Sequence, residues 1–312
     1  MKVLHVSDTE LSSAPYRLAK VQRIAGLEAK LLSIPDRTSR AQYPHPDLFM
    51  TSGRAVLASH LDEADVVHYH NRWRDSLLFR LQPWAWPVLE HKPSVIQFHS
   101  PREGNGFEES LRETSLIKLV VAQYHPRIYP ECRPVQNAIP IDEPLHQARD
   151  VRNEPPVIVY TPPHCDDAGW RNKGCGQTLP ILEDGFRFRY ATGRSWREIM
   201  ALRQGCDIAI DEIVTGSYHM CSLEALSQGL ATIAGLDSLT VDAIEQVTGT
   251  REHPWIVATP DTLRDVLTEL CEDEGYRLAK RQQARAFVEK YWSPQVVTRR
   301  FRRIYDEALA RS

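Results

Sequence analysis

The chain has 312 residues, 42% of them hydrophobic and 25% charged, and a formal net charge of -3. That length exceeds what one core needs and suits two domains; the composition is that of an ordinary globular protein. The charge lacks the large basic excess of a protein that lives on duplex DNA, although local basic patches remain open. The six cysteines, Cys132, Cys165, Cys175, Cys206, Cys221 and Cys271, are scattered without a C-x-x-C pair. Neither a disulfide framework nor a zinc ribbon is expected from that spacing. His164, Cys165 and Cys175 are near enough in sequence to share a metal, but they fit no standard zinc pattern. The opening MKVLHVSD starts a strand, not a basic region followed by an apolar run. No stretch approaches the roughly 18–20 apolar residues of a membrane span. A cytoplasmic chain with reduced thiols is expected.

Short apolar runs alternate with helical patterns along the chain. KVLHVSD is read as a buried strand and Pro15 to Ala25 as a helix, with Leu18, Val21, Gln22 and Ala25 at helical spacing. AKLLSI, ADVVHYH (64–70), PSVIQFHS (93–100) and LIKLVVAQ (116–123) follow as strands. The polar stretch from Asp142 to Pro156 has no apolar periodicity and carries Pro144, Pro155 and Pro156, so it is read as an interdomain linker. PVIVYTP (156–162), FRFRYAT, CDIAIDEI, ATIAG and PWIVAT are the strands of a second run, with helices at Ser195–Gln204 and Ser222–Gly229 between them. Thr262 to Ala310 is mostly helical, broken at Pro294. Strands that are apolar throughout, separated by helices, predict parallel sheets covered on both faces. The fold class is α/β, with two Rossmann-like doubly wound domains. Their boundaries are expected at 1–150 and 151–293, and a C-terminal helix at 294–312 crosses back to the first. Ligands of such sheets bind beyond the carboxyl ends of the strands, so a central cleft is expected.

The most informative window is GSYHMCSLEALSQG, Gly216 to Gly229. It joins a strand to a helix that begins at Ser222-Leu223-Glu224 and stops at Gly229. A helix N-terminus is an anion site, because its free N–H groups and its dipole both favour negative charge. Glu224, in the first turn, is placed to accept paired hydrogen bonds from a ribose diol; the plainer reading is a helix cap.

Six segments in order resemble the glycosyltransferase family 4-like enzymes of the GT-B type (glycosyl transferases group 1). SLEALSQGLATIAG is similar to their LEA-x-A-x-G-x-P-V-I donor segment. Asp207 in GCDIAI stands for their A-D, and Lys173-Gly174 for the K-G that opens the first donor-domain helix. VQNAIPID (135–142), ADVVHYH and the tail ARAFVEKYWSPQVVTRRFRRIYDEAL complete the set. The resemblance implies a hexosyltransferase-like enzyme (EC 2.4) with a nucleotide-diphosphate sugar, UDP- or GDP-linked, as donor. It implies retention of configuration and no further cofactor. Glu224 matches the second glutamate of E-x7-E, which holds the ribose. Lys173 matches the lysine on the diphosphate, and His99 the histidine by the sugar. The implied donor site takes Lys173, Thr161, Gly216, Ser217, Tyr218, His219, Ser222, Leu223 and Glu224, with His99 and Lys173 as catalytic groups.

Three departures stand out. Gly216 replaces the first glutamate of E-x7-E, with Asp211 and Glu212 nearby as substitutes or as plain polar strand ends. Thr161 and Pro162 occupy the place of the arginine before the K-G loop. SSAPYR (12–17) replaces the glycine-rich first loop.

Leaving-group charge must be met by a metal or by fixed donors. No D-x-D stands in a context suited to metal binding, so the expected donors are Lys173, Arg171 and the N–H groups around Ser217 to Ser222. His68 and His70 alternate on one strand and are expected on opposite faces, one at most toward a cleft. The glycines of SPREGNG, after His99, are read as a loop. Arg17 is read either as an anion contact or as a solvated arginine, and Trp84 and Trp86 as packing or an acceptor edge. The acceptor is left open among a glycan, a lipid-linked glycan, a protein and a nucleic acid, with peripheral membrane contact allowed. Two other readings are a catalytically silent GT-B scaffold and another GT-B enzyme, such as a nucleotide-sugar epimerase.

Overall fold

The computed structural model describes residues 1–9, 11–34, 46–101, 105–162, 165 and 173–311. Two compact units divide the chain, Met1–Pro140 with Pro294–Ser312, and Ile141–Ser293.

The first unit runs β1 (Lys2–Ser7), α1 (Ala14–Ile24), β2 (Glu28–Ser33), β3 (Leu48–Phe49), α2 (Arg54–Glu63), β4 (Val66–His70), α3 (Leu77–Leu81), α4 (Ala85–Leu89), β5 (Ser94–Phe98), α5 (Asn105–Arg112), β6 (Ile117–Val121) and β7 (Arg133–Val135). Its seven strands are parallel in the order β3-β2-β1-β4-β5-β6-β7. Strand addition reverses direction between β1 and β4, the switch point at which open α/β sheets take ligands. β3 and β7 were not expected, because two or three residues carry no readable period.

Both faces of this sheet are covered, so its strands read as continuous apolar runs. Val3, Ala29, Leu31, Val66, Val95 and Leu119 form one face, closed by Leu18 and Val21 of α1 and by Val297, Phe301 and Ile304. Leu4, Val6, Leu32, Val67, Tyr69, Ile96 and Phe98 form the other, closed by Leu57 and Leu61 of α2. Trp86 belongs to the second face, edge-on to Phe79 with ring centroids 4.9 Å apart, and Arg54 lies over Trp84; both tryptophans pack. Arg17 is buried, so a solvated arginine is excluded. Gly106 lies in α5, so the SPREGNG loop ends before it, and 102–104 are outside the described residues.

His5 and His68, each between two residues of the second face, turn to the first. His68 and His70 stack with ring centroids 4.4 Å apart. The expectation of opposite faces was wrong, because strand side chains repeat with period two and residues i and i+2 share a face.

The second unit runs β8 (Ile158–Tyr160), α6 (Cys175–Glu183), β9 (Phe188–Tyr190), α7 (Trp196–Arg203), β10 (Ile208–Ile210), α8 (Met220–Ser227), β11 (Ala231–Ala234), α9 (Ser238–Thr248), β12 (Ile256–Val257), α10 (Leu263–Glu272) and α11 (Glu274–Trp292). Five parallel strands take the order β12-β11-β10-β8-β9, which puts the switch point between β8 and β10. Local signals place the helices. Ser195 and Glu198 form a reciprocal capping box before α7. Asp237 caps α9, and Gly249 ends it at φ 78°. α8 begins two residues before its expected start, so Glu224 sits in its second turn. The expected linker is bound to this unit: Arg281 donates to the carbonyls of Arg149 and Val151, and Arg285 to those of Ile141 and His146. α12 (Pro294–Arg311) starts on a proline, which suits a first helical position, and it packs on the first sheet.

Cys165 and Cys175 form a disulfide with Cα atoms 5.4 Å apart, inside the usual range. Reduced thiols and a shared metal at these two cysteines are therefore corrected; spacing along the sequence does not report which Cα atoms lie together in space. His164 and Arg171 lie outside the described residues. Among the described residues, no helix is long and apolar enough to cross a membrane.

Candidate functional site

At the β8–β10 switch point, charged side chains converge from three elements. Lys173 and Gly174 turn the chain into α6 with φ of 52° and 75°. A Cβ on Gly174 would stand 2.9 Å from a methyl of Val214, so both the left-handed backbone and the close approach call for glycine. The turn swings the Lys173 ammonium inward, where it meets Asp211 Oδ1 at 3.1 Å and Cys221 Sγ at 3.3 Å. Both partners of the ion pair are almost entirely buried. Burial alone would lower the Lys173 pKa, but the Asp211 charge overrides it and holds the ammonium above its ordinary value. Burial would likewise raise Asp211; Lys173 and His219 reverse the sign and keep it ionised. The Cys221 thiol, buried beside that carboxylate, is pushed up to about 12 and donates to Asp211 Oδ1 at 2.7 Å.

The strand-to-helix loop closes on its own carboxylates. Glu212 accepts the N–H groups of Val214, Thr215 and Ser217 at 2.9, 2.6 and 3.1 Å. Asp211 Oδ2 accepts from His219 N, and the N–H groups of Ser222 and Leu223 turn to the His219 carbonyl. The N–H groups of Ser217, His219 and Ser222, within the stretch expected to offer amides to an anion, are thus engaged internally, as is that of Leu223. Ser222 Oγ accepts from Trp255 Nε1 at 2.9 Å, and Tyr218 packs on Trp255. Among the described residues, no acceptor is bonded to the N–H groups of Met220 and Cys221 at the start of α8.

Glu224 is held from both sides. Oε2 meets Arg203 at 2.7 Å and Oε1 accepts from Trp196 Nε1 at 2.8 Å. The second guanidinium nitrogen of Arg203 donates to Thr161 Oγ1 at 3.1 Å. Thr161, at the place of the arginine missing from the sequence motif, thus accepts from a cation on α7. Arg203 and Trp196 were overlooked, 21 and 28 residues from Glu224 in sequence.

Gly216 has φ 75°, and a Cβ there would lie 2.5 Å from Asp237 Oδ2. The space where a side chain at 216 would start is thus filled by the Asp237 carboxylate, while Asp211 and Glu212 bind Lys173 and backbone amides. Gly216→Ala should destabilise the chain by about 1–3 kcal/mol through the left-handed backbone and the displaced carboxylate. Denaturant unfolding tests this, and an unchanged midpoint would contradict the assignment.

In the first unit, His99 follows β5. Asn71, at φ 64° beyond β4, accepts from the His99 backbone N–H at 2.7 Å. The imidazole Nε2 of His99 meets His70 Nδ1 at 2.9 Å. His70 Nε2 meets His5 Nδ1 at 3.0 Å, and His5 Nε2 meets Gln22 Oε1 at 2.8 Å. Gln22 Nε2 donates to the Tyr305 hydroxyl, which also bonds His68 Nδ1 at 2.8 Å. The Gln22 carbonyl accepts only, so His5 carries its proton on Nε2 and leaves Nδ1 bare. Burial lowers the pKa of every histidine in this row, His5 to about 4, and the neighbouring imidazoles push His68 and His70 down further.

Neither a family model nor a curated protein sequence matches the chain. Solved structures do. A glycosyltransferase from Rickettsia africae ESF-5 superposes with TM-score 0.65 at 14% identity, over 100% of this chain and 99% of that one. An alpha-glucosyltransferase in complex with UDP and a 13-mer DNA containing a HMU base gives 0.66 at 10% identity, over 97% and 99%. The catalytic domain of starch synthase IV from Arabidopsis thaliana, bound to ADP and acarbose, gives 0.60 at 9% identity, over 99% of each chain. With its two switch-point sheets of parallel strands, the chain has the GT-B fold.

Proposed function

We propose that this chain is a glycosyltransferase that moves a sugar from a nucleotide-diphosphate donor, with retention and without a divalent metal at the donor. The observation that carries the reading is the switch point of the second unit, where Lys173, the open N-terminus of α8 and Glu224 are gathered. The fold of nucleotide-bound glycosyltransferases supports it. Cleaving the sugar–diphosphate bond leaves charge on the departing phosphate oxygen. Lys173 and the Met220 and Cys221 amides are assigned to that charge, each well-placed donor contributing on the order of 3–4 kcal/mol in a dry site. The transition state is oxocarbenium-like. Glu224 is assigned to the ribose and His99, on the first unit, to transfer.

The scaffold reading is favoured by one specific observation. Asp211 already neutralises Lys173 and Arg203 already neutralises Glu224, so both groups have internal work without a donor. Calorimetry in EDTA with UDP, GDP and ADP, followed by hydrolysis of the corresponding nucleotide sugars, separates the readings. One diphosphate is expected to bind and its sugar to be turned over. Binding without turnover supports a scaffold; binding that requires magnesium or manganese contradicts the fixed-donor assignment. His99→Ala should leave diphosphate affinity unchanged and lower turnover alone.

A further inference from the structure

The histidine row of the first unit has a geometry that its hydrogen bonds alone do not explain. His68 and His70, two residues apart on β4, project from one face. His5 stands opposite His68 in the parallel register of β1 and β4. One ligating nitrogen from each of the three rings lies within 4.8 Å of the others. All three rings are buried, and His68 Nε2 makes no hydrogen bond of normal geometry, with the Gln97 side chain as its near neighbour. A buried ring nitrogen without a bond of normal geometry is unfavourable, and it lies at the switch point of the sheet.

We propose that His5, His68 and His70 form a binding site for one divalent transition-metal ion, separate from the nucleotide site of the second unit. The ligand atoms are His5 Nδ1, His68 Nε2 and His70 Nε2. This choice leaves each second ring nitrogen with a bonded neighbour: Gln22 Oε1 on His5, the Tyr305 hydroxyl on His68, and His99 Nε2 on His70. Ligating histidines usually hold their other N–H in this way, which fixes tautomer and ring angle. A tetrahedral ion with nitrogens at roughly 2.0–2.1 Å spaces them about 3.3 Å apart. That falls between the 3.0 Å of the His5–His70 contact and the 4.8 Å span of the set. Gln97, in register with His70 on β5, carries a buried Oε1 that makes no hydrogen bond of normal geometry and lies beside His68, and the fourth position falls to it or to water.

The donor set selects the ion class. Imidazole suits zinc, copper and nickel, whereas magnesium and calcium prefer oxygen. Neutral imidazole is the ligating form. An ion would also reverse the proton order of the row. Without it, His70 Nε2–H donates to the bare His5 Nδ1, and His99 donates from Nε2 to His70 Nδ1. With it, His70 Nε2 gives its lone pair to the metal, its Nδ1–H donates to His99 Nε2, and the His99 proton moves to Nδ1. The ion therefore ties β1 to β4 and sets whether His99 presents an acceptor or a donor.

The test uses the full chain. Metal content is measured as isolated, after chelation, and after Zn2+ is returned to the native protein or during refolding, since a buried site opens slowly. The expected result is one tightly held Zn2+ per chain. His68→Gln should abolish it, and His91→Gln, on an exposed histidine, should retain it. Co2+ in place of zinc should give the visible bands of a nitrogen-ligated ion of low coordination number. Should His68→Gln fail to fold, the Co2+ spectrum of the unaltered chain decides alone: sulfur-to-metal charge transfer, or an unbound six-coordinate ion, overturns the proposal. So does failure to load by either route, or zinc retained by folded His68→Gln.

Discussion

Lys173→Ala should lower the free energy of unfolding by about 3–5 kcal/mol, because it strands the buried Asp211 carboxylate without its counter-ion. The double variant Lys173→Met with Asp211→Asn removes both charges and should recover most of that loss. Chemical denaturation of the two single variants and the double variant measures the coupling. The pH dependence has a defined sign. Asp211 is held below its ordinary value of 3.8, so its contribution is full above that value and fades as the pH falls further. Lys173 is held above 10.5, so its contribution is full below that value and fades as the pH rises further. The coupling should accordingly be flat between the two. A Lys173→Ala protein as stable as the parent would mean that the ammonium is not buried against Asp211. In the folded fraction, the same substitution should weaken diphosphate binding and lower turnover at saturating donor.

Glu224→Ala should cost a similar 3–5 kcal/mol, since it leaves Arg203 buried and unpaired and removes the acceptor of Trp196. Glu224→Gln keeps the shape and should cost less. Arg203→Met combined with Glu224→Leu should restore stability while abolishing nucleotide binding. That combination matters because a ribose contact and a structural pair both predict harm from Glu224→Ala alone. Each charge-assisted bond to a ribose hydroxyl is worth roughly 1.5–3 kcal/mol. If the stable double variant binds the diphosphate as tightly as the parent, Glu224 serves the fold and not the nucleotide.

Much of this molecule is legible along the chain. The uniformly apolar strands announce parallel sheets buried on both faces. Lys173-Gly174 announces a turn that only glycine completes, and the Ser195-x-x-Glu198 box announces α7. Each of these is a local property, set by backbone conformation or by neighbours within one turn. The partners of the charged groups are not local. Arg203 reaches Glu224 from another helix, Asp211 meets Lys173 from the end of a neighbouring strand, and Asp237 fills the space beside Gly216 from beyond β11. No pattern of short range encodes such pairs, because they follow from sheet order and register. The histidine row shows both sides. That His68 and His70 share a face follows from the period of a strand and was open to reading in the sequence. That His5 joins them depends on β1 lying beside β4 in a register that sets His5 against His68, which only the assembled sheet decides.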